Sequence, residues 1–172
     1  MTDAVMYARY NRDSNKKIYD ILSGMSNDER EKDRGGYFGS LSATLRHVIG
    51  GAQYFLGLFE PALAGNPAAL KALAGRAKPI SEDPLDEAQW KELGEALEKT
   101  DAAYIGMAEA LSADDLSLKV KVDWYGGNPD SAPLYYMLGQ LVAHGIHHRG
   151  QISQMLDELK IEHEFSGISF LP

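Results

Sequence analysis

The sequence predicts an all-α protein: a four-helix bundle with a long crossover after the second helix and a small β insertion between the third and the fourth. Three observations carry this. Four long stretches repeat their apolar residues at the helical step. A connection at 61–85, with Pro61, Pro67, Pro79, Pro84, Gly65 and Gly75, parts the second stretch from the third. Between the third and fourth stretches the apolar period drops to two. The chain of 172 residues suits one hydrophobic core, so residues 1–172 read as a single domain.

The first helix runs from about Thr2 to Gly24, with Tyr7, Tyr10, Asn11, Ser14, Ile18, Ile21, Leu22 and Met25 in step. The second spans Ser40 to Glu60. Ser40 is its N-cap, because a serine hydroxyl accepts from a free N–H of the first turn, and Pro61 stops it. Leu41, Leu45, Val48, Ala52, Phe55 or Leu56, and Phe59 form its buried stripe. The connection at 61–85 holds one short helix near Ala69–Ala74, and its length lets it join two parallel helices. The third helix, Asp86 to Leu111, keeps Trp90, Leu93, Leu97, Thr100, Tyr104, Met107 and Leu111 in step.

Leu116, Leu118, Val120, Val122 and Trp124 then alternate with Ser117, Lys119, Lys121 and Asp123, as in a half-buried strand. Gly126-Gly127-Asn128-Pro129 is a turn. The fourth helix starts near Ser131, with Pro133 in its first turn, and ends near Leu159. The tail HEFSGISFLP has no period.

Composition narrows the function. No run of eighteen apolar residues exists, so no membrane span is expected. MTDAVMYARYNRDSNKK lacks an apolar h-region and reads as mature protein. The chain has no cysteine, which removes disulfides, thiolate ligands and a cysteine nucleophile and suits a cytoplasmic protein. The net charge of −8, with no basic run longer than Lys16-Lys17, speaks against binding nucleic acid. The acidic pairs Glu82-Asp83 and Asp114-Asp115 read as solvated loop caps.

HGIHHRGQ, residues 144–151, holds three of the five histidines. His144 and His148 stand four apart on one helix face with Met137, Leu141, Ile152 and Met155, so they interrupt an apolar stripe. His47 shares a face of the second helix with Thr44, Gly51, Tyr54 and Leu58, and Gly51 leaves room beside it. Two readings stand side by side. Buried histidines satisfied by hydrogen bonds are common in cores. Alternatively, imidazoles at i and i+4 with a third from another helix hold a divalent ion, each nitrogen about 2.0–2.1 Å from it. Three histidines leave a coordination position for water or substrate. Neutral nitrogen donors suit Zn, Ni, Cu or Fe over Mg or Ca, and do not separate Zn, Ni, Fe and Mn.

These residues resemble the DinB family. The resemblance lies in HGIHHRGQISQML at 144–156 and LSATLRHVIGGAQYFL at 41–56, and extends to YARYNRDSNKKIYDILSGM and YFGSL. It implies a four-helix bundle, commonly dimeric, with one divalent transition metal per chain held by His47, His144 and His148. It also implies a small-molecule substrate: some relatives are S-transferases that use a low-molecular-weight thiol, and one is a mycothiol-dependent maleylpyruvate isomerase. Relatives often carry an acid and a tryptophan one to two turns after the second-helix histidine. Here that stretch reads GGAQYFLGLF and has neither.

Several neighbours have a bland and a functional reading. His147 is a solvent or interface histidine, or an alternative ligand. Arg149 makes a surface ion pair, or binds a carboxylate or partner subunit. Gln151 is solvent-exposed, or hydrogen-bonds a ligand histidine. Tyr54 is packing or pocket mouth, Trp124 a core aromatic or a cover over the fourth helix, and His163 an exposed tail residue. Tyr135, Leu138, Val142 and Ile146 exceed what one apolar stripe needs, and a homodimer is expected from them.

Three functions compete: a metal-dependent thiol S-transferase, a non-catalytic metal-binding dimeric stress-response module, and a metal-dependent hydrolase. The last lacks an obvious Asp or Glu base beside the histidines.

Overall fold

The computed structural model describes residues 3–81, 83–122 and 130–168. The elements, in order, are α1 (Asp3–Ser23), α2 (Asn27–Glu31), α3 (Leu41–Phe59), α4 (Pro67–Leu73), α5 (Glu87–Ala110), β1 (Lys119–Val122), β2 (Asp130–Pro133) and α6 (Leu134–Glu158).

Side-chain caps set the helix starts. Ser40 Oγ accepts from the Ala43 N–H at 3.0 Å and Asn66 Oδ1 from the Ala69 N–H at 3.1 Å. Asp86 and Gln89 form a reciprocal capping box at 2.8 and 2.9 Å. The sequence reading did not anticipate α2, a short helix capped by Ser26.

The β insertion differs from expectation at both ends. Asp115–Ser117 form a 3-10 turn. Asp115 Oδ2 closes it by accepting from the Ser112 N–H and hydroxyl and from Asn66 Nδ2. Leu116 is thereby taken out of the strand, which spans only Lys119–Val122. Val120 is buried there and Lys119 and Lys121 are exposed, as the alternation requires. Trp124 and the turn at 126–129 lie outside the described residues.

β2 is antiparallel to β1, with Pro133 opposite Lys119 and Asp130 opposite Val122. Residues 131–133 are therefore strand, and the last helix starts at Leu134 rather than near Ser131. The residue before a proline is crowded out of the helical region, so Ala132 stays extended. The Leu134 N–H donates to the Leu118 carbonyl at 2.8 Å.

α3 packs along α6, α1 along α5, and α4 against α5. Burial produces two apolar clusters. One joins Val5 and Ala8 to Phe55, Phe59, Met107, Met137 and Leu141. The other joins Ile18 and Leu22 to Leu41, Leu45, Trp90, Leu93, Ile152 and Leu156. Between them in sequence, on α1, α5 and α6, lie the buried polar residues Asn11, Ser14, Asn15, Thr100, Asp101 and Arg149. Gln53 of α3 reaches the same layer and donates to Thr100 Oγ1 at 3.2 Å.

Two expectations about exposed faces change. Tyr7, placed in the α1 stripe, is 36% exposed. Leu138 and Val142 are core residues, so only Tyr135 and Ile146 of the four apolar residues counted as spare on α6 remain exposed. No described helix is long and apolar enough to cross a membrane.

Candidate metal centre

α3 supplies His47, and α6 supplies His144 and His148 one turn apart. One ring nitrogen from each lies within 4.8 Å of the other two. The three ring centroids are 4.5–4.9 Å apart. His144 Nε2 and His47 Nε2 are separated by 3.0 Å. Two nitrogens each 2.0–2.1 Å from a shared ion, at octahedral to tetrahedral angles, stand roughly 2.9–3.4 Å apart. The pair therefore has the spacing that a bound ion demands. Among the described residues the group holds three imidazoles and no carboxylate.

A close approach makes room for the cluster. An ideal Cβ on Gly51 would stand 2.3 Å from His144 Cε1, so any larger residue there displaces the ring. Aromatic rings wall the cluster: Phe38 stacks on His47 at 4.0 Å and meets His148 edge-on at 5.4 Å, and Phe55 lies 5.7 Å from His144. All three histidines are half-buried.

This environment disfavours the protonated form of two of the rings, His144 and His47. Burial, helped by the charges of His148, His47, His147 and Arg149, lowers the His144 pKa to about 4. Burial also lowers that of His47, with His148 and Arg46 acting in the same direction. Neutral imidazoles are the ligand form. Gln151 Oε1 lies 2.8 Å from His148 Nδ1. A carbonyl oxygen can only accept, so Nδ1 is the donor here and Nε2 is the nitrogen left to face an ion. Spacing, protonation and donor type together fit a divalent transition metal.

The other singled-out residues are placed as follows. His147 is exposed, with its ring 4.7 Å from that of His148. Tyr54 is half-exposed and packs edge-on to Phe55. Asp83 pairs with Arg46 at 2.7 Å, Asp115 caps its loop, and Glu82 lies outside the described residues. His163 is not an exposed tail residue. It bonds Ser153 Oγ at 2.6 Å and the Ile161 carbonyl at 2.8 Å and stacks on Phe165, because the chain after α6 folds back onto that helix.

Arg149 differs most from expectation. It is 2% exposed and makes no surface ion pair. Its Nη1 donates to Asn11 Oδ1 at 2.8 Å and to Asn15 Oδ1 at 3.0 Å. Both asparagines pass the interaction on, their Nδ2 groups donating to Asp101 at 2.9 and 3.3 Å. Burial outweighs these bonds and raises the Asp101 pKa to about 7. An ideal Cβ on Gly145 would lie 2.9 Å from Arg149 Nη1, so this glycine admits the guanidinium.

Sequence reasoning missed the roles of Phe38, Asn15 and Asp101. Asn11 and Ser14, polar in an apolar stripe, were the available signal for the network.

A cavity of about 400 Å³ lies beside the cluster, between the loop before α3 and α6. Phe38 and Gln151, which touch His47 and His148, also form its wall. The sequence model of the DinB family matches residues 1–162 of the chain. No curated protein matches it.

Proposed function

The chain belongs to the DinB family, and from that premise we propose that it is a metal-dependent enzyme of the thiol S-transferase type, its ion held by His47, His144 and His148. The observation that carries the reading is the convergence of ring nitrogens of three histidines from two helices. A divalent ion bound there supplies a Lewis-acid centre with a free coordination position, which favours the thiolate of a low-molecular-weight thiol at neutral pH.

The chain's own residues do the rest. Gln151 fixes the tautomer of His148. Phe38 and Phe55 limit water around the rings. The adjoining cavity holds the electrophile. The thiol proton passes to solvent, a sulfur–carbon bond forms, and the leaving group departs with its electron pair. No protein nucleophile is needed, in keeping with a cysteine-free chain. Hydrolysis ranks lower because, among the described residues, the imidazole group contains no carboxylate to serve as base. A non-catalytic metal-binding module would have its site closed by a fourth protein ligand, which the described group does not contain, or be too occluded for substrate, against which stands the adjoining cavity.

The same proposal includes a four-helix bundle forming one domain over 1–172. It is supported by the two apolar clusters. The end of α1, the starts of α3 and α5 and the end of α6 share one, and the opposite ends share the other. That sharing suits α3 and α5 running parallel across the long crossover. We include a cytoplasmic setting and a homodimer, for which exposed Tyr135, Tyr136 and Ile146 on α6 are the support. A monomer in sedimentation at micromolar concentration contradicts the dimer.

The activity is tested with metal-loaded protein against a panel of small thiols and electrophiles. Thioether formation above the uncatalysed rate, abolished in His144→Ala, is expected. No acceleration with any pair, in protein that carries its ion, contradicts the enzymatic reading.

A further inference from the structure

The cavity beside the imidazoles offers free donors on a fixed frame. Gln151 spends its carbonyl on His148, which leaves its amide N–H groups without an acceptor among the described residues. Arg34 lines the same cavity with its side chain only 9% exposed. Its Nη2 donates to the Glu29 carbonyl and to Glu29 Oε2, both at 2.8 Å, and no described residue accepts from Nη1. His147, also on the wall, is exposed. The carboxylate of Glu158 at this wall already accepts from Gln154 at 3.2 Å.

The frame around Arg34 is built rather than loose. Its backbone N–H donates to the Gly39 carbonyl at 2.8 Å. Asp33 Oδ1 accepts from the Gly35 N–H at 2.8 Å. Gly35 and Gly39 sit at φ +78° and +76°, a conformation that other residues adopt only with strain. A guanidinium held in this way loses little freedom on binding and matches a carboxylate in geometry. Tyr37, Phe38 and Met155 give the cavity an apolar wall. Its size of about 400 Å³ lies within the range of small-molecule sites.

We propose that this cavity binds an organic carboxylate with an apolar body, the carboxylate on Arg34 and the Gln151 amide, the body against Phe38, Tyr37 and Met155. The placement of that ligand beside the ion rests on the metal-dependent reading; its binding by the chain does not. In the transferase reading the ligand is the acceptor substrate. Gln151 joins the two sites, its carbonyl on His148 and its amide on the ligand.

The test uses full-length, chelator-treated protein, so that no ion contributes to affinity. Calorimetry compares phenylacetate with its neutral counterpart 2-phenylethanol. The acid is expected to bind at least about tenfold tighter, the size of a charge-assisted hydrogen bond. Arg34→Gln is expected to remove that preference. Equal affinity for acid and alcohol, or a folded Arg34→Gln protein that retains the preference, overturns the proposal.

Arg34 also ties down Glu29, which makes a second variant necessary should Arg34→Gln not fold. Glu29→Gln then decides, because it frees the guanidinium from its internal partner. Phenylacetate binding at least about twofold tighter supports the proposal, and unchanged or weaker binding overturns it. Loss of metal uptake in separate measurements would sink the metal reading and leave these results standing.

Discussion

α6 carries two interruptions of its apolar face, at the same spacing and one residue apart. His144 and His148 turn toward α3; Gly145 and Arg149 turn toward α1 and α5. Both place polarity in the interior, and they do so differently. On the Arg149 side a cation, two amides and a carboxylate answer one another in a chain from α6 through α1 to α5. On the histidine side three rings converge, and one contact between His47 and His144 uses two nitrogens that point at the same place. Every member of this set bonds another member, although Nε and Nη2 of Arg149 are buried without a hydrogen-bond partner among the described residues; such a set ties helices to one another. One with lone pairs left over and an aromatic wall is built to take something in. The motif HGIHHRGQ is thus two devices interleaved on one helix.

Exchanging effects between the two devices gives the sharpest contrast. His148→Ala should abolish metal binding while changing the urea-unfolding stability of the metal-free protein by no more than about 1 kcal/mol. Arg149→Leu should cost about 3–5 kcal/mol in the same unfolding measurement, because it strands Asp101 and both asparagines without their cation. Equal stability losses in the two variants would erase the distinction.

Next in size are residues that serve the ligands without binding. Gln151→Leu removes the acceptor at His148 Nδ1. It should weaken zinc affinity about 10–100-fold in a chelator competition. Gly51→Ala drives a methyl group into the His144 ring and should act in the same direction. Its counterpart Gly145→Ala crowds Arg149 instead, and should cost about 1–3 kcal/mol of stability.

The pH dependence separates the regions by sign. In metal-free protein the His144 pKa is lowered to about 4 by burial. Between there and the ordinary value of about 6.5 the unfolded chain binds the extra proton, so its contribution to stability falls as the pH drops. The Asp101 pKa is raised to about 7. Between about 3.9 and that value the folded chain holds the extra proton, so stability falls as the pH rises. In urea titrations at several pH values, His144→Asn should remove the acid-side loss and Asp101→Asn the neutral-side loss. Matching slopes in both variants would contradict this assignment.

The sequence made the histidine device legible because helix geometry alone aligns i with i+4, and Gly51 one turn after His47 announced the space. The arginine device was harder to read. Arginine is usually solvated, and its partners Asn15 and Asp101 are 134 and 48 positions away, a pairing that no local period encodes. The helix start at Ser40 was legible from capping chemistry, which is local. The strand Asp130–Pro133 was not, because it exists through pairing with β1 and has no pattern of its own. His163 escaped for the same reason: its burial comes from α6, not from its neighbours in the tail.

The central claim is that the rings of His47, His144 and His148 hold an ion. Metal analysis of untagged protein, equilibrated with zinc and freed of excess, tests it most directly. About one ion per chain is predicted for the wild type and for His147→Ala, and almost none for His148→Ala. A wild type that emerges empty, or a His148→Ala variant that keeps its full ion, would contradict the account.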